Sequence, residues 1–374
     1  MKSLLPVLFA LCLLSYSGCK DIDSDDFKDL SFVTHIDAGM KHTLFVKSNN
    51  TLWVTGSNTE GQLAIPTVTE MRGAVKAMDN VLIAAAGYSH SLIIKTDHTL
   101  WACGLNHKGQ LGNGTLTDQR QAVKILDSVL LAAGGLDFSL IIKQDNTLWG
   151  VGNNEYGQLG VTSTLQTNFP VKIMDNVKAV SCGQHHSVIL RTDNTVWVTG
   201  QNFSGQLGIG SYSNISTPVQ IMESVESISA GTEFTLLVKL DHTLWATGSN
   251  TFGQLGLVTG AAKINVPEQI TAYAAMAKAC FTHTLVFRND TAVLQATGNN
   301  SYGQFGNPTL PTSSYTLIDI GGGTDVLQLS GGQGYSVVLD ADHIPHSAGQ
   351  NDRGQLGLNT NTATQNTLKE IKVY

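Results

Sequence analysis

Apolar and polar positions alternate in short blocks along almost the whole chain. A run such as Ser91-Leu92-Ile93-Ile94-Lys95 is followed by a polar turn and a second run, Thr99-Leu100-Trp101-Ala102-Cys103, which is the pattern of a β-hairpin. Asp97-His98, Asp145-Asn146, Asp193-Asn194 and Asp241-His242 occupy that turn, where Asp can hydrogen-bond the backbone and Asn or His tolerates positive φ. A further run, Val123-Lys124-Ile125-Leu126 or Val171-Lys172-Ile173-Met174, follows later. The pattern predicts three or four short strands per unit and no long helix.

The units are copies of one another. Gly-x-Asn-x-x-Gly-Gln recurs seven times, at Gly56–Gln62, Gly104–Gln110, Gly152–Gln158, Gly200–Gln206, Gly248–Gln254, Gly298–Gln304 and Gly349–Gln355. Its second glycines, Gly61, Gly109, Gly157, Gly205, Gly253, Gly303 and Gly354, are spaced by 48 residues four times, then by 50 and 51. Glycine permits positive φ or the close approach of another strand, and a short amide can satisfy backbone groups in a tight turn, so these positions read as scaffold. All five tryptophans, Trp53, Trp101, Trp149, Trp197 and Trp245, stand three residues before the first glycine of a copy. Large rings in that register predict filling between neighbouring units rather than a ligand cage. His42, His90, His186 and His283 share a register with Phe138, Phe234 and Tyr335, so that position accepts any ring and no metal site is expected there.

The motifs Ala-Gly-x-x-His-Ser-Leu and Gly-x-Asn-x-x-Gly-Gln-Leu-Gly resemble those of the regulator-of-chromosome-condensation repeat family over essentially all of residues 31–374. The resemblance implies an all-β, seven-bladed β-propeller, one blade per copy. A closed ring leaves only short strand edges, whereas an open row would expose an apolar end face. Leu368-Lys369-Glu370-Ile371 follows Gly354 at the offset at which Val123–Leu126 follows Gly109. It is expected to be a strand that joins the blade containing Leu44–Gly56 and so closes the ring, with Phe27-Lys28-Asp29-Leu30 as its competitor.

Composition adds a compartment. Lys2 precedes an apolar stretch, Leu4 to Leu14, too short to span a bilayer as a mature helix, which reads as an export signal over residues 1–18. Ser15-Tyr16-Ser17-Gly18-Cys19 resembles a bacterial lipobox, which implies acylation of Cys19 and attachment to a membrane; Ser15-Tyr16-Ser17 also fits an ordinary cleavage site and plain secretion. The acidic residues 19–30 then form a solvated tether. Cys103, Cys182 and Cys280 stand where other copies carry Ala, Thr, Val or Gly, and are expected to be small buried hydrophobes rather than disulfide partners. Charged residues are only 14% of the chain and the formal net charge is -7, without a basic stripe or tail, which argues against a nucleic-acid partner.

Propellers host unrelated activities, so function is argued from a site. No Gly-x-Ser-x-Gly, His-Glu-x-x-His, phosphate loop or paired-cysteine zinc pattern occurs, and no catalytic residue or cofactor is expected. Family members that act as exchange factors for a nuclear GTPase do so with a β-wedge and a basic tail; the even spacing here leaves no room for a comparable wedge, and the tail is acidic. The segments after each Gly-Gln differ most between copies and are expected to cluster on one face as a binding surface. Tyr156, Phe252, Tyr302 and Arg353 share one register beside the motif glycine and are the candidate contacts, either as binding residues or as covers of a blade corner. The sequence thus predicts a monomeric protein-binding or adhesion module at the cell envelope. An inhibitor or regulator of an exported enzyme is the first alternative, and a hydrolase or lyase using the central channel the second.

Overall fold

The computed structural model describes residues 31–162, 165–322 and 325–374; the expected signal, the tether, Phe27–Leu30 and Cys19 lie outside the described residues. The described chain forms 28 strands in seven antiparallel four-stranded sheets, each built from consecutive strands. In blade 1 these are β1 (Val33–Ala38), β2 (His42–Lys47), β3 (Leu52–Ser57) and β4 (Glu70–Met78), running in that order across the sheet. Numbering continues through blades 2 to 6 (81–126, 129–174, 177–222, 225–271 and 274–322) to blade 7, with β25 (Val326–Gly332), β26 (Tyr335–Asp340), β27 (Pro345–Gln350) and β28 (Thr364–Glu370). Up-and-down order puts the turn between first and second strands and the motif loop between third and fourth on one face of the ring, here the motif face. The Asp-His and Asp-Asn hairpin turns and the links between blades lie on the other, the turn face.

The core sits between blades. Leu44, Val46, Val54 and Leu63 of blade 1 pack with Val81, Ala84 and Ile93 of blade 2, and equivalent clusters fill the other gaps. Each tryptophan packs half-buried against one of these clusters. Its Nε1 donates to a threonine hydroxyl in its own hairpin, as Trp101 does to Thr99 at 2.9 Å, and that threonine donates to Asp97 at 2.7 Å. A cation from the second strand covers the ring, Lys95 lying 4.1 Å from the centroid of Trp101. Cys103 and Cys280 are buried, Cys182 is half-buried, and all three are free thiols.

The ring closes, but not by the expected exchange of a strand. β28 pairs with β27 in its own blade, and the β-type pairing between blades 7 and 1 is confined, among the described residues, to an isolated bridge between Gly73 and Leu358. The reason is that Val33–Ala38 supplies blade 1 with an inner strand, so β1 to β4 already complete that sheet. The seam instead repeats the other junctions. Val33, Ile36 and Phe45 of blade 1 pack with Tyr335, Val337, Leu339 and Leu356 of blade 7, and the residues after β28 add Ile371 and Val373. A Cβ on Gly354, whose φ is +79°, would lie 2.5 Å from Cα of Arg72. The motif glycines Gly61, Gly109, Gly157, Gly205, Gly253 and Gly303 press in the same way on the outer strand of the next blade.

Ile371→Ala is therefore expected to lower stability by about 2–4 kcal/mol, read from the urea midpoint. Hydrogen exchange should accelerate together in Val33–Lys47 and Tyr335–Gln350. Faster exchange in blade 7 alone would mean that Ile371 does not hold the seam.

Candidate binding face

Each motif loop is held by its own amides. The side-chain Oδ1 of the motif asparagine accepts from the backbone N–H five residues on, as in Asn202 to Leu207 at 2.9 Å, in all seven copies. The motif glutamine Oε1 likewise accepts from the N–H two residues before it, as in Gln254 to Phe252 at 2.9 Å, again seven times. These bonds leave the loop little freedom, and what it displays is set by the side chains that vary.

The ring-bearing position joins blades. The hydroxyls of Ser91, Ser139, Thr235 and Ser336 each donate to a motif glutamine carbonyl of the preceding blade, at 2.7, 2.7, 2.8 and 2.7 Å. The same hydroxyls lie 3.1, 2.9, 3.1 and 2.8 Å from Nε2 of His42, His90, His186 and His283. Since the hydroxyl proton is given to the carbonyl, Nε2 carries a hydrogen and donates, and the imidazole is neutral. Burial pushes His42 down to about 4 and the other three to about 3, and their Nδ1 atoms have no partner. One such histidine lies in each of blades 1, 2, 4 and 6, engaged with the neighbouring blade.

The central channel is a cavity of about 230 Å³ walled mostly by Ala and Gly of the inner strands and the turns that follow them. Its charged groups form one pair, Asp37 with Lys278 at 3.5 Å. Burial opposes ionisation of Asp37, but Lys278 and the donated hydrogen bonds of Ala86 and Ser330 outweigh it and hold the carboxyl below its usual range. His35, lowered by burial, bonds the Ala84 carbonyl at 2.9 Å. Tyr88 of blade 2 and Phe281 of blade 6 meet over the channel with ring centroids 4.4 Å apart, and Tyr88 bonds Thr232 of blade 5 at 3.3 Å.

The candidate contacts all stand on the motif face, at junctions. Tyr156 lies with its ring 5.0 Å from that of His185 in the next blade and 5.9 Å from that of Phe203. Tyr302 lies over Gly334 of blade 7, and Arg353 approaches Glu70 of blade 1 at 3.7 Å. Phe252 and Tyr302 are 40% and 42% exposed, so these residues both cover a corner and face solvent. Periodicity missed Phe203, 53% exposed, because it stands one place out of the aromatic register, and His185, because its neighbour His186 holds the repeated position.

Charge divides this face. Near the seam, Lys41 pairs with Asp352 at 2.8 Å, and Glu70 meets Arg72 at 2.8 Å as well as Arg353. Around His185, by contrast, Asp137, Glu155 and Glu233 form no ion pair with Lys or Arg among the described residues, Asp137 meeting only His107 at 3.6 Å. Burial lowers His185 against the pull of these three carboxylates, and burial raises Asp137 against His107, His185 and Lys108.

Residues 18–275 match the family model of the RCC1-like domain. Among solved structures the chain is similar to human WBSCR16, at 21% identity and TM-score 0.77, covering 86% of this chain and 94% of that one. It is also similar to Saccharomyces cerevisiae Prp20p, whose structure was described with its binding to Gsp1p and histones, at 18% identity and TM-score 0.73, covering 82% of each chain. The CRINKLY ectodomain of the Arabidopsis thaliana receptor kinase ACR4 follows at 11% identity and TM-score 0.53, covering 91% of this chain and 99% of that one. No curated protein sequence matches.

The buried imidazoles set a pH dependence. In the unfolded chain they bind protons near 6.5, whereas in the fold they remain neutral down to about 4 for His42 and about 3 for His90, His186 and His283. Stability is thus complete above pH 6.5 and is lost as pH falls through that window, by roughly 1.4 kcal/mol per pH unit per histidine. His90→Phe, a residue that blades 3 and 5 carry in this register, should flatten the fall of the urea midpoint between pH 6.5 and 5 by one proton's worth. An unchanged slope would show that His90 titrates normally in the fold.

Proposed function

Because the chain belongs to the RCC1-like domain family, we propose that it is a non-catalytic binding module which offers the motif face of its ring to a protein partner at the bacterial cell envelope. The observation that carries this reading is the division of labour on that face. Glycine, asparagine and glutamine repeat in every copy and hold the loops, while the exposed positions of Phe203, Phe252, Tyr302 and Tyr212 vary in residue type between copies. Exposed aromatic side chains on a rigid support are the residue types that anchor protein interfaces. The channel, whose one charged pair and histidine are already engaged, offers a weaker site for chemistry. That Prp20p binds Gsp1p and histones supports binding as the class, without transferring either target.

Presentation at the envelope rests on the lipobox-like residues Ser15 to Cys19. The first described residue, Ser31, leads into β1 from the turn face.

Labelling of intact cells with a palmitate analogue is expected to mark the wild-type chain and not Cys19→Ala; equal labelling would remove the anchor. Crosslinking on the same cells should join a partner through Lys108 and Lys263 of the motif face rather than Lys124 and Lys172 beside the turn face. Crosslinks confined to the turn face would overturn the assignment of the face.

A further inference from the structure

The aromatic corner between blades 3 and 4 has features that define what it receives. The rings of Tyr156 and Phe203 meet edge to face at 85°, and Phe203 is 53% exposed. Glu155 is exposed beside Tyr156, and Glu233 reaches the same corner from blade 5, where Ser204 donates to its carboxylate at 2.9 Å. Asp137 stands in the blade 3 turn. Asp137 is engaged by His107 and Lys108, but Glu155 and Glu233 form no ion pair among the described residues, so the corner has an excess of negative charge beside two π-faces. Lys263 of blade 5 donates to the Phe203 carbonyl at 3.0 Å. On the far side of the same face the acids are neutralised by Lys41, Arg72 and Arg353. An aromatic face attracts a cation through its quadrupole, and an unpaired carboxylate adds a charge-assisted bond.

We infer that this corner is where the partner docks, and that it receives an arginine or lysine side chain of that partner, set against Phe203 and Tyr156 and bonded to Glu155 or Glu233. The inference rests on the reading of the motif face as the partner face. An acidic partner would meet like charge here, and a purely apolar one would strand Glu155 and Glu233 at its rim.

The test uses Gly-Ser peptides bearing Arg, Lys, Glu or Leu, with binding to the propeller followed by surface plasmon resonance. Arg and Lys peptides are expected to bind at least about tenfold more tightly than the Glu and Leu peptides. The double change Phe203→Ala with Glu233→Gln should abolish that preference, whereas Asp127→Asn, an exposed acid at the turn face, should leave it intact. An unchanged melting temperature establishes that the double variant is folded; were it not, Glu155→Gln alone should reduce the preference. Preference for the Leu peptide, equal binding of all four, no binding, or an equal loss in Asp127→Asn would each overturn the inference. Motif-face crosslinks to a natural partner together with any of these results would leave the proposed function standing and remove only the cation site.

Discussion

Every junction in this ring turns on one hydrogen bond. The residue after the ring-bearing position is always Ser or Thr, and its hydroxyl donates to the carbonyl of the motif glutamine in the preceding blade. The seven distances run from 2.6 to 2.8 Å, with Thr43 to Gln355 at 2.7 Å across the seam and Ser187 to Gln158 at 2.6 Å. Because the glutamine's side chain fixes its own loop, this bond ties the motif of one blade to the second strand of the next. A buried hydroxyl and carbonyl left unpaired would each carry a desolvation penalty, so each blade is held in register with its neighbour. A second belt runs at the channel mouth, where backbone N–H groups reach the next blade at six of the seven junctions, including Gln333 to Met40 across the seam.

That arrangement explains how the ring closes without exchanging a strand. Closure here requires only that the last junction be built like the other six, and it is, down to the glycine against Arg72 and the hydroxyl on Gln355. Blade number and strand pattern were legible in the chain because the motif repeats at near-equal spacing. The seam was not, since periodicity gives the length of a unit and says nothing about where within it a sheet begins. The offset that makes Leu368–Ile371 a strand is the one that places Val123–Leu126 outermost in its own blade; only the pairing of Val33–Ala38 with β2 shows that blade 1 has no vacant edge.

The face was legible in part for a related reason. Tyr156, Phe252, Tyr302 and Arg353 could be found because they share a register, and the structure gives that register a mechanical sense, since Tyr156 and Tyr302 lie across the first turn of the next blade. Pairings that depend on the circle leave no mark in a linear pattern: Lys41 and Asp352 are 311 residues apart and 2.8 Å apart in space. The same holds for the excess of acid around His185 of blade 4, which comes from blades 3 and 5.

Rigidity of this kind bears directly on binding. Docking two surfaces immobilises side chains and loops, and that loss is smaller when the loops are already fixed. Here the asparagine Oδ1 and glutamine Oε1 bonds recur in all seven motif loops, so the exposed rings stand on backbone that is already held. The scaffold also constrains which residues can change. A substitution at a motif glycine meets the next blade's backbone, and one at a junction serine or threonine strands a carbonyl, whereas the Phe203 side chain is half exposed and meets Tyr156 edge to face. Variation is thereby channelled to the positions between the fixed ones, and a change of partner requires no change of frame.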